Sequence, residues 1–490
     1  MKLKAIFLTV LVGFSFQPGY SQFNKLTSSQ PQGGAAFGYD ISQDGNYLIV
    51  GAKDEVVNNV RSGAAYIYHF ESGDWVEQAY LLPDTANDNE FFGISVALSG
   101  DFAMVGANGN DEIGTNSGIA YVYKRSGDSW SLYQSLTPES LKSFDEFGIS
   151  IDISNNVAVV GAYSDATNGL FAGAAYVFEY TNSQWVETAK LLPAEVESED
   201  KFGRSVDTDG KRIIVCRVLG DEQGADSGVA YIFSKDDAGN WQQEAKLLAP
   251  DGEANDRFGR SVGIANEYAA VGAVLDDDNG NNSGSAYIFR KTSEGWVFQD
   301  KVIPSDGEAE DFFGYALAFS PGYLLVGALN KDGSSSNTGA AYLFSQNGSS
   351  WSELQKFSAP EETELANFGE SVDINEKWIT IGAPYWSEND EAIGSVFLQQ
   401  APVPLGFPPS VENEFSLFPN PSKGVVHILT NPSQKTPFTI EVYNATGKLV
   451  LKDVFYKMSP QFTIDALSRG IYFVVLGSSE QKTQKKLLID

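Results

Sequence analysis

The chain alternates short apolar runs with short polar breaks along most of its length. One stretch reads "FGISIDIS", "NN", "VAVVGA", a long polar loop, "GAAYVFEY", "TNS" and "QWVETAKLL". The apolar runs are alternating or continuous, and Gly, Asn and Asp separate them, which is typical of β-strands joined by turns. Each such unit therefore predicts four short strands.

This unit repeats seven times. A Phe-Gly pair recurs every 55 or 56 residues, with its Phe at Phe37, Phe92, Phe147, Phe202, Phe258, Phe313 and Phe368. In six units a Gly-Ala pair begins 14 residues after the Phe, an aromatic residue follows 15 residues later, and a Trp comes next in all units but the last. Four-stranded units repeated at this length predict an all-β fold, a seven-bladed β-propeller.

The seventh unit lacks its Trp-containing fourth strand. Near the start of the chain, Leu26 stands in register with Leu81 and Leu136, which belong to the fourth strands of other units. Residues 22–28 are therefore predicted to form the fourth strand of the last blade. Such a strand closes the ring and covers an open sheet edge. The predicted propeller spans residues 22–400.

The repeated residues have an architectural reason. Glycine allows backbones to approach closely, and the aromatic residues supply apolar area between blades. The repeats resemble FG-GAP repeats, the units of the propeller head of integrin α subunits and of many bacterial surface proteins. The resemblance covers residues 22–400 and implies a role in adhesion or in binding a protein or a glycan.

A different composition begins after the repeats. Residues 401–412 are Pro-rich and predict a linker, and residues 413–490 predict strands of a small Ig-like β-sandwich. Phe418-Pro419-Asn420-Pro421, "VYNATGKLV" and Gly470-Ile471-Tyr472 resemble the C-terminal sorting domain of the type IX secretion system of Bacteroidetes. The resemblance implies contact with that machinery and passage through the outer membrane. The alternative is an Ig-like adhesion module.

The first residues predict export as well. Lys2 and Lys4 precede an apolar run at residues 5–16, and small residues follow, so residues 1–21 are predicted to be a cleaved signal peptide. A buried strand or a short anchor is the alternative, although the run is short for a bilayer. Both ends of the chain therefore predict a protein that is secreted or held on the cell surface.

Charge narrows the choice of partners. Asp and Glu outnumber Lys and Arg by 64 to 33, for a net charge of −31. Such a chain repels nucleic acids and anionic membranes. The excess lies in the propeller, where one face is predicted to carry long acidic loops such as "PDTANDNE" and "LDDDNGNN". This loop face is interpreted either as a solvated surface or as a binding site.

Calcium is a candidate ligand of the loop face. Calcium prefers carboxylate and amide oxygens, and the resemblance to integrin-type repeats implies calcium in loops between second and third strands. The strict alternation of Asp residues expected there is absent. The candidate ligands are Asp276, Asp278 and Asn282 in one loop, and Asn108, Asn110 and Glu112 in another.

The sequence gives little support for catalysis. The two histidines, His69 and His427, belong to no Ser-His-Asp, zinc or phosphate-loop pattern. We therefore expect no enzyme activity and predict a binding or adhesion protein with a protein or glycan ligand at the loop face. Two alternatives remain open: a propeller enzyme that acts on a polysaccharide, and a structural component of a surface layer or matrix.

One unit departs from the repeat. Cys216 and Arg217 stand where the other units have the Gly-Ala pair, and Cys216 is the single cysteine of the chain, so no internal disulfide can form. Sequence drift is one interpretation. The other is a local specialisation in which Arg217 pairs with a carboxylate or meets a ligand.

Overall fold

A computed structural model describes residues 23–193, 195, 197–361 and 363–401 of the propeller region. Of the C-terminal region it describes residues 416–418, 425–429, 438–444, 448–455, 461–463, 468–477 and 482–489. The predicted signal peptide and residues 402–412 of the predicted linker lie outside the described residues. Within these ranges the regular secondary structure is β-strand, and no helix has the length and hydrophobicity to cross a bilayer.

The predicted seven-bladed propeller is confirmed by seven antiparallel sheets of four strands. The strands of blade 1 are Phe37–Asp44, Tyr47–Ala52, Ala64–Glu71 and Asp74–Leu81. Those of blade 2 are Val96–Ser99, Phe102–Ala107, Ile119–Ser126 and Ser129–Leu136. Those of blade 3 are Phe147–Ser154, Val157–Ala162, Ala174–Thr181 and Gln184–Leu191. Those of blade 4 are Phe202–Thr208, Arg212–Arg217, Val229–Lys235 and Trp241–Leu247.

The remaining three blades follow the same order. The strands of blade 5 are Phe258–Ala265, Tyr268–Ala273, Ser285–Thr292 and Gly295–Val302. Those of blade 6 are Phe313–Ser320, Tyr323–Ala328, Ala340–Asn347 and Ser350–Phe357. Those of blade 7 are Ser371–Ile374, Trp378–Ala383, Ser395–Gln400 and, from the start of the described chain, Asn24–Leu26.

The ring closes between blades 7 and 1. Asn24–Leu26 pairs antiparallel with Ser395–Gln400 and forms the outer edge of blade 7. The ring of Phe23 packs edge-on against those of Phe368 and Phe397, with centroids 6.0 and 5.9 Å apart. Aromatic contacts of this kind stabilise beyond their buried area. The chain therefore joins its first described residues to its last blade by both backbone pairing and core packing.

The paired glycines of the repeat meet at the junctions between blades. A Cβ built on Gly106 of blade 2 would lie 2.0 Å from the carbonyl oxygen of Gly148 in blade 3. No side chain fits into such a gap, so both positions require glycine. The hydrophobic clusters also join neighbouring blades: Phe147 and Ile151 of blade 3 pack with Met104 and Val122 of blade 2.

Two connections and the C-terminal region contain additional strands. Short hairpins lie between the second and third strands of blades 1 and 7: Val56–Val57 with Val60–Arg61, and Ser387–Glu388 with Glu391–Ala392. The C-terminal region has one sheet of Ser416–Phe418, Val425–Leu429 and Gln461–Thr463, and a second of Leu449–Phe455, Phe438–Asn444, Gly470–Gly477 and Lys482–Ile489. An Ig-like arrangement of these sheets stays a prediction.

Candidate functional site

The predicted calcium loop of blade 5 is organised around an ammonium group. Lys301, in the fourth strand, places its Nζ 2.9 Å from Oδ2 of Asp276 and 2.6 Å from Oδ2 of Asp278. Asn282 lies apart from them, because its Nδ2 donates to the carboxylate of Glu310 at 3.1 Å. Two of the three candidate ligands therefore meet, and a lysine bridges them.

Lysines recur at this position in four consecutive blades. Lys190 lies 2.7 Å from Asp165, Lys246 lies 2.8 Å from Glu222, and Lys356 lies 2.7 Å from Asp306. Burial alone would lower the pKa of Lys301, but its hydrogen bonds to Asp278, Tyr287 and Asp276 raise it, so this lysine stays charged. A divalent cation in these loops would have to displace an ammonium group.

Arg217 supplies the second cation in blade 4. Its guanidinium lies 2.8 Å from Glu222 and 3.5 Å from Asp200, and its side chain is 5% exposed. A Cβ built on Gly220 would lie 2.5 Å from Nε of Arg217. The guanidinium therefore fills space left by the missing side chain and neutralises the buried carboxylate of Asp200 and the partly exposed carboxylate of Glu222. This pairing agrees with a local specialisation of blade 4.

The second predicted calcium loop, in blade 2, has no lysine, because Ser135 stands at that position. Asn110 donates its Nδ2 to Glu90 Oε1 at 2.9 Å, and its Oδ1 accepts the backbone N–H of Glu112 at 2.8 Å. Asn108 Oδ1 and Glu90 Oε2 are buried with no hydrogen-bond partner among the described residues. Burial raises the pKa of Glu90. Blade 2 therefore has buried oxygen atoms without a hydrogen-bond donor, whereas the carboxylates of blade 5 are paired with Lys301.

A calcium site in these loops stays a prediction. Among the described residues, no cluster of three or more Asp, Glu, His or Cys side chains is arranged to hold a metal ion. Asn108 and Asn110 contribute amide oxygens, while the side chain of Glu112 is exposed to solvent. The geometry distinguishes the two loops, since blade 2 retains unpaired buried oxygens and blade 5 pairs its carboxylates with Lys301.

The inner strands surround a central channel of about 480 Å³. Four aspartates line it, and each accepts a backbone N–H from the inner strand of the next blade at 2.5 to 2.8 Å: Asp40, Asp152, Asp207 and Asp373. Burial raises the pKa of Asp40 and of Asp373 to about 7. These carboxyl groups link neighbouring blades, and the interior of the channel is acidic.

Two of these aspartates also interact with each other. Burial raises the pKa of both Asp152 and Asp207, and the charge of Asp152 and a shared hydrogen bond raise that of Asp207 further. Asp207 therefore holds the proton and donates to Asp152. A protonated pair of this kind avoids two adjacent negative charges in the channel.

The channel opens on the loop face through a ring of seven residues, each of which follows a Phe-Gly pair. We call this ring the channel mouth: Tyr39, Ile94, Ile149, Arg204, Arg260, Tyr315 and Glu370. Blades 2 and 3 contribute isoleucines, whereas the other five blades contribute polar side chains. The mouth therefore has an apolar side and a polar side, although the surrounding fold is nearly seven-fold symmetric.

The polar side of the channel mouth is connected by contacts. The guanidinium carbon of Arg260 lies 3.7 Å from the ring centroid of Tyr315, which donates its hydroxyl to Glu370 Oε1 at 3.1 Å. Stacking on the ring is a favourable place for a guanidinium. Burial raises the pKa of Glu370, and the charge of Arg260 partly opposes that shift. Arginine, phenol and carboxyl thus form one polar cluster.

The sequence reasoning missed the channel mouth. The Phe-Gly pairs themselves have an architectural role, and the repeat pattern does not single out the residue that follows each pair. The signal was the residue directly after each pair, which changes from Tyr to Ile, Arg and Glu along the repeats. Because all seven residues face one axis, their differences accumulate in one place, and only the closed ring brings them together.

Comparison with known families agrees with this architecture. The FG-GAP repeat family matches residues 20–68, 75–123, 130–178, 185–233, 241–289, 296–344 and 351–398. The secretion system C-terminal sorting domain matches residues 416–490. A comparison with curated proteins found no match. The sorting domain marks an exported protein, secreted or attached to the cell surface, that interacts with the type IX secretion machinery. The repeat matches cover more than half of the chain, which therefore belongs to the FG-GAP repeat family.

Proposed function

We propose that this exported protein is a binding and adhesion protein whose propeller holds a protein or glycan ligand at the loop face. The observation that carries the proposal is the channel mouth. Pockets that bind ligands combine apolar walls with a few convergent polar groups. The channel mouth combines Ile94 and Ile149 with Arg204, Arg260 and Glu370 around one cavity.

A purely structural role would not require this asymmetry. The glycines and aromatic residues that hold the blades together recur in nearly every unit, because packing imposes the same demands at each junction. Packing does not require one residue type at the channel mouth, since isoleucine, tyrosine, arginine and glutamate all occupy the same position of the repeat. Variation at the axis of a regular scaffold supports a ligand site there.

The test compares two tryptophan variants of the same blade on a glycan array and against surface proteins in solution. Ile94→Trp fills the channel mouth, whereas Ile113→Trp changes an exposed residue of the loop between the second and third strands. We expect the full chain to bind a ligand that Ile94→Trp loses and Ile113→Trp retains.

Four results would contradict the proposal. Absence of any ligand would contradict binding, and equal binding by both variants would place the ligand outside the channel mouth. Hydrolysis of a bound glycan would replace a binding role with an enzymatic one. Ligand-independent self-association would favour the structural alternative.

A further inference from the structure

The two arginines of the channel mouth differ from five other cations of the loop face, which are paired with acids. Arg217 and the four lysines of blades 3–6 lie within ion-pair distance of carboxylates. Among the described residues, no carboxylate oxygen lies within 4.0 Å of a nitrogen of Arg204 or Arg260. Both guanidinium groups line the cavity and retain the capacity to bind an anion.

The junction between blades 4 and 5, which carries these arginines, is wider than the other junctions. A Cβ built on Gly259 would lie 3.2 Å from the carbonyl oxygen of Val229, whereas the corresponding distance at the other six junctions is 2.2 to 2.8 Å. Cys216 causes the difference, because its own Cβ would be 2.8 Å from that position. The departure from the Gly-Ala pair therefore lies at the junction that carries the two arginines.

The hydrogen bonds of this junction change with it. In blades 2, 3, 5 and 7 a serine hydroxyl of the inner strand donates to the glycine carbonyl of the next blade, at 2.8 or 2.9 Å. In blade 4 the hydroxyl of Ser205 instead accepts the N–H of Val262, and the N–H of Ser205 donates to Sγ of Cys216. The backbone next to Arg204 and Arg260 is therefore held by hydrogen bonds that differ from those of the other junctions.

Aromatic rings accompany the arginines. Tyr315 lies beneath Arg260 at 3.7 Å, and the ring of Tyr163 lies 5.9 Å from Arg204. These rings hold the guanidinium groups in place, and arginine pairs with planar carboxylate or with sulfate. The carboxyl group of Glu370 can accept a hydrogen bond from a sugar hydroxyl. One wall thus offers two cations and a hydrogen-bond acceptor.

The surrounding charge limits the ligand to few negative groups. Acidic residues dominate the loop face, and the aspartates of the channel lie below the mouth. A polyanion or an acidic protein surface would be repelled by these groups. A single acid group at the end of a neutral chain would reach the arginines without bringing further charge near the loops.

We propose that the channel mouth binds the acidic terminal sugar of an oligosaccharide, with its carboxylate or sulfate group on Arg204 and Arg260. This inference rests on the proposed binding function and specifies the ligand of the same site. The hydroxyl groups of the sugar face Tyr315 and Glu370. The carbon atoms of the sugar ring pack on the apolar side of the channel mouth, formed by Ile94 and Ile149.

The test titrates the full chain with glucuronate, with a sulfated glucose and with neutral glucose, followed by disaccharides that end in these sugars. Arg204→Gln and Arg260→Gln remove one guanidinium each. Arg257→Gln removes an exposed arginine of the connection between blades 4 and 5, outside the channel mouth. Unfolding temperatures establish that each variant is folded. An acidic peptide of similar size serves as a competitor from another class of ligand.

We expect the acidic sugars to bind at least tenfold more tightly than glucose, since charge-assisted hydrogen bonds are the strong ones. Arg204→Gln and Arg260→Gln should each weaken that binding at least tenfold, and Arg257→Gln less than twofold. Tighter binding of the carboxylate or of the sulfate identifies the source of the anion.

Four outcomes would overturn the inference. Equal affinity for acidic and neutral sugars would show that the acid group does not contribute to binding. A tenfold loss of affinity in Arg257→Gln would show that the arginines of the channel mouth have no special role. Both results would leave a binding function in place. Preference for the acidic peptide would assign the arginines to a protein ligand. If no sugar binds, and if the glycan array and the protein screen also identify no ligand, the proposed function is overturned as well.

Discussion

Cys216 packs its Cβ against the backbone of Gly259 in the next blade, at a junction where the other blades place two glycines against each other. Its side chain is fully buried, and its Sγ accepts the N–H of Ser205 at 3.0 Å. The thiol therefore serves as a spacer between blades 4 and 5. A thiol that serves as a spacer should be unreactive, whereas a thiol that serves as a nucleophile should react with added reagents.

We predict that the thiol of Cys216 does not react in the folded protein. Burial raises its pKa to about 11, and no reagent can reach it without opening the junction. Labelling with a chromogenic disulfide at pH 8 should be absent in buffer and stoichiometric in denaturant. Rapid stoichiometric labelling of the folded protein would contradict the buried position.

Arg217 should contribute to stability through the carboxylates of Asp200 and Glu222. Arg217→Ala leaves the buried carboxylate of Asp200 without this cation, whereas the partly exposed Glu222 keeps Lys246 at 2.8 Å. Breaking a buried pair in this way costs about 3 kcal/mol. Arg217→Lys should lose less, because an ammonium keeps the charge but cannot donate to both acids in the same geometry. Arg257→Ala, at an exposed position, is the control. Denaturant unfolding measures all three, and an unchanged midpoint for Arg217→Ala would favour drift.

The sequence predicts the ring well because packing repeats. The register of Phe37 and Leu26 already places the outer strand of the last blade, since every unit must bury the same strands. The local backbone is harder to predict. The residue before each Phe has a positive φ of 53 to 57° in all seven blades, yet it is Ala36 in one unit and Lys201 or Asn367 in others. No glycine marks this conformation, so only the structure reveals it.

The site was less predictable because it depends on contacts across loops. Lys301 recurs in register with Lys190, which is visible in the sequence, but its pairing with Asp276 requires the fourth strand to lie beside the loop after the second. The contact of Lys301 with two of the predicted calcium ligands, Asp276 and Asp278, is therefore visible only in the structure. The channel mouth, in contrast, can be found in the sequence once the ring is known to close, by comparing the residue after each Phe-Gly pair.

Calcium, predicted from the sequence, is best tested in blade 2. We expect calcium to raise the unfolding temperature by binding near Asn108 and Asn110, where buried oxygens are unpaired. Ser135→Lys would place an ammonium group as in blades 3–6 and should abolish the effect. Ser129→Lys, at an exposed position in the same strand, is the control. A chelator that leaves the unfolding temperature of the wild type unchanged would contradict the calcium prediction.

The channel aspartates should make stability depend on pH. The pKa of Asp373 is about 7 in the folded protein against a usual 3.8, so the folded state holds the proton more tightly. Its contribution is present at low pH and is lost as the pH rises through 7. Asp373→Asn cannot lose a proton.

The measurement compares unfolding temperatures at pH 5 and pH 8. The variant Asp373→Asn should gain stability relative to the wild type between pH 5 and pH 8, whereas Asp128→Asn, at an exposed position, should not. A difference between Asp373→Asn and the wild type that is constant over this range would show that Asp373 is already charged at pH 5.

The position of the bound ligand distinguishes a site in the channel mouth from a site elsewhere on the propeller. A crystal structure of the full chain, grown with the ligand selected on the array, would show where it lies. We predict density in the channel mouth, in contact with Arg260 and Tyr315 and across from Ile94. Density confined to the outer surfaces of the loops, with the channel mouth filled only by water, would contradict a ligand site in the channel mouth.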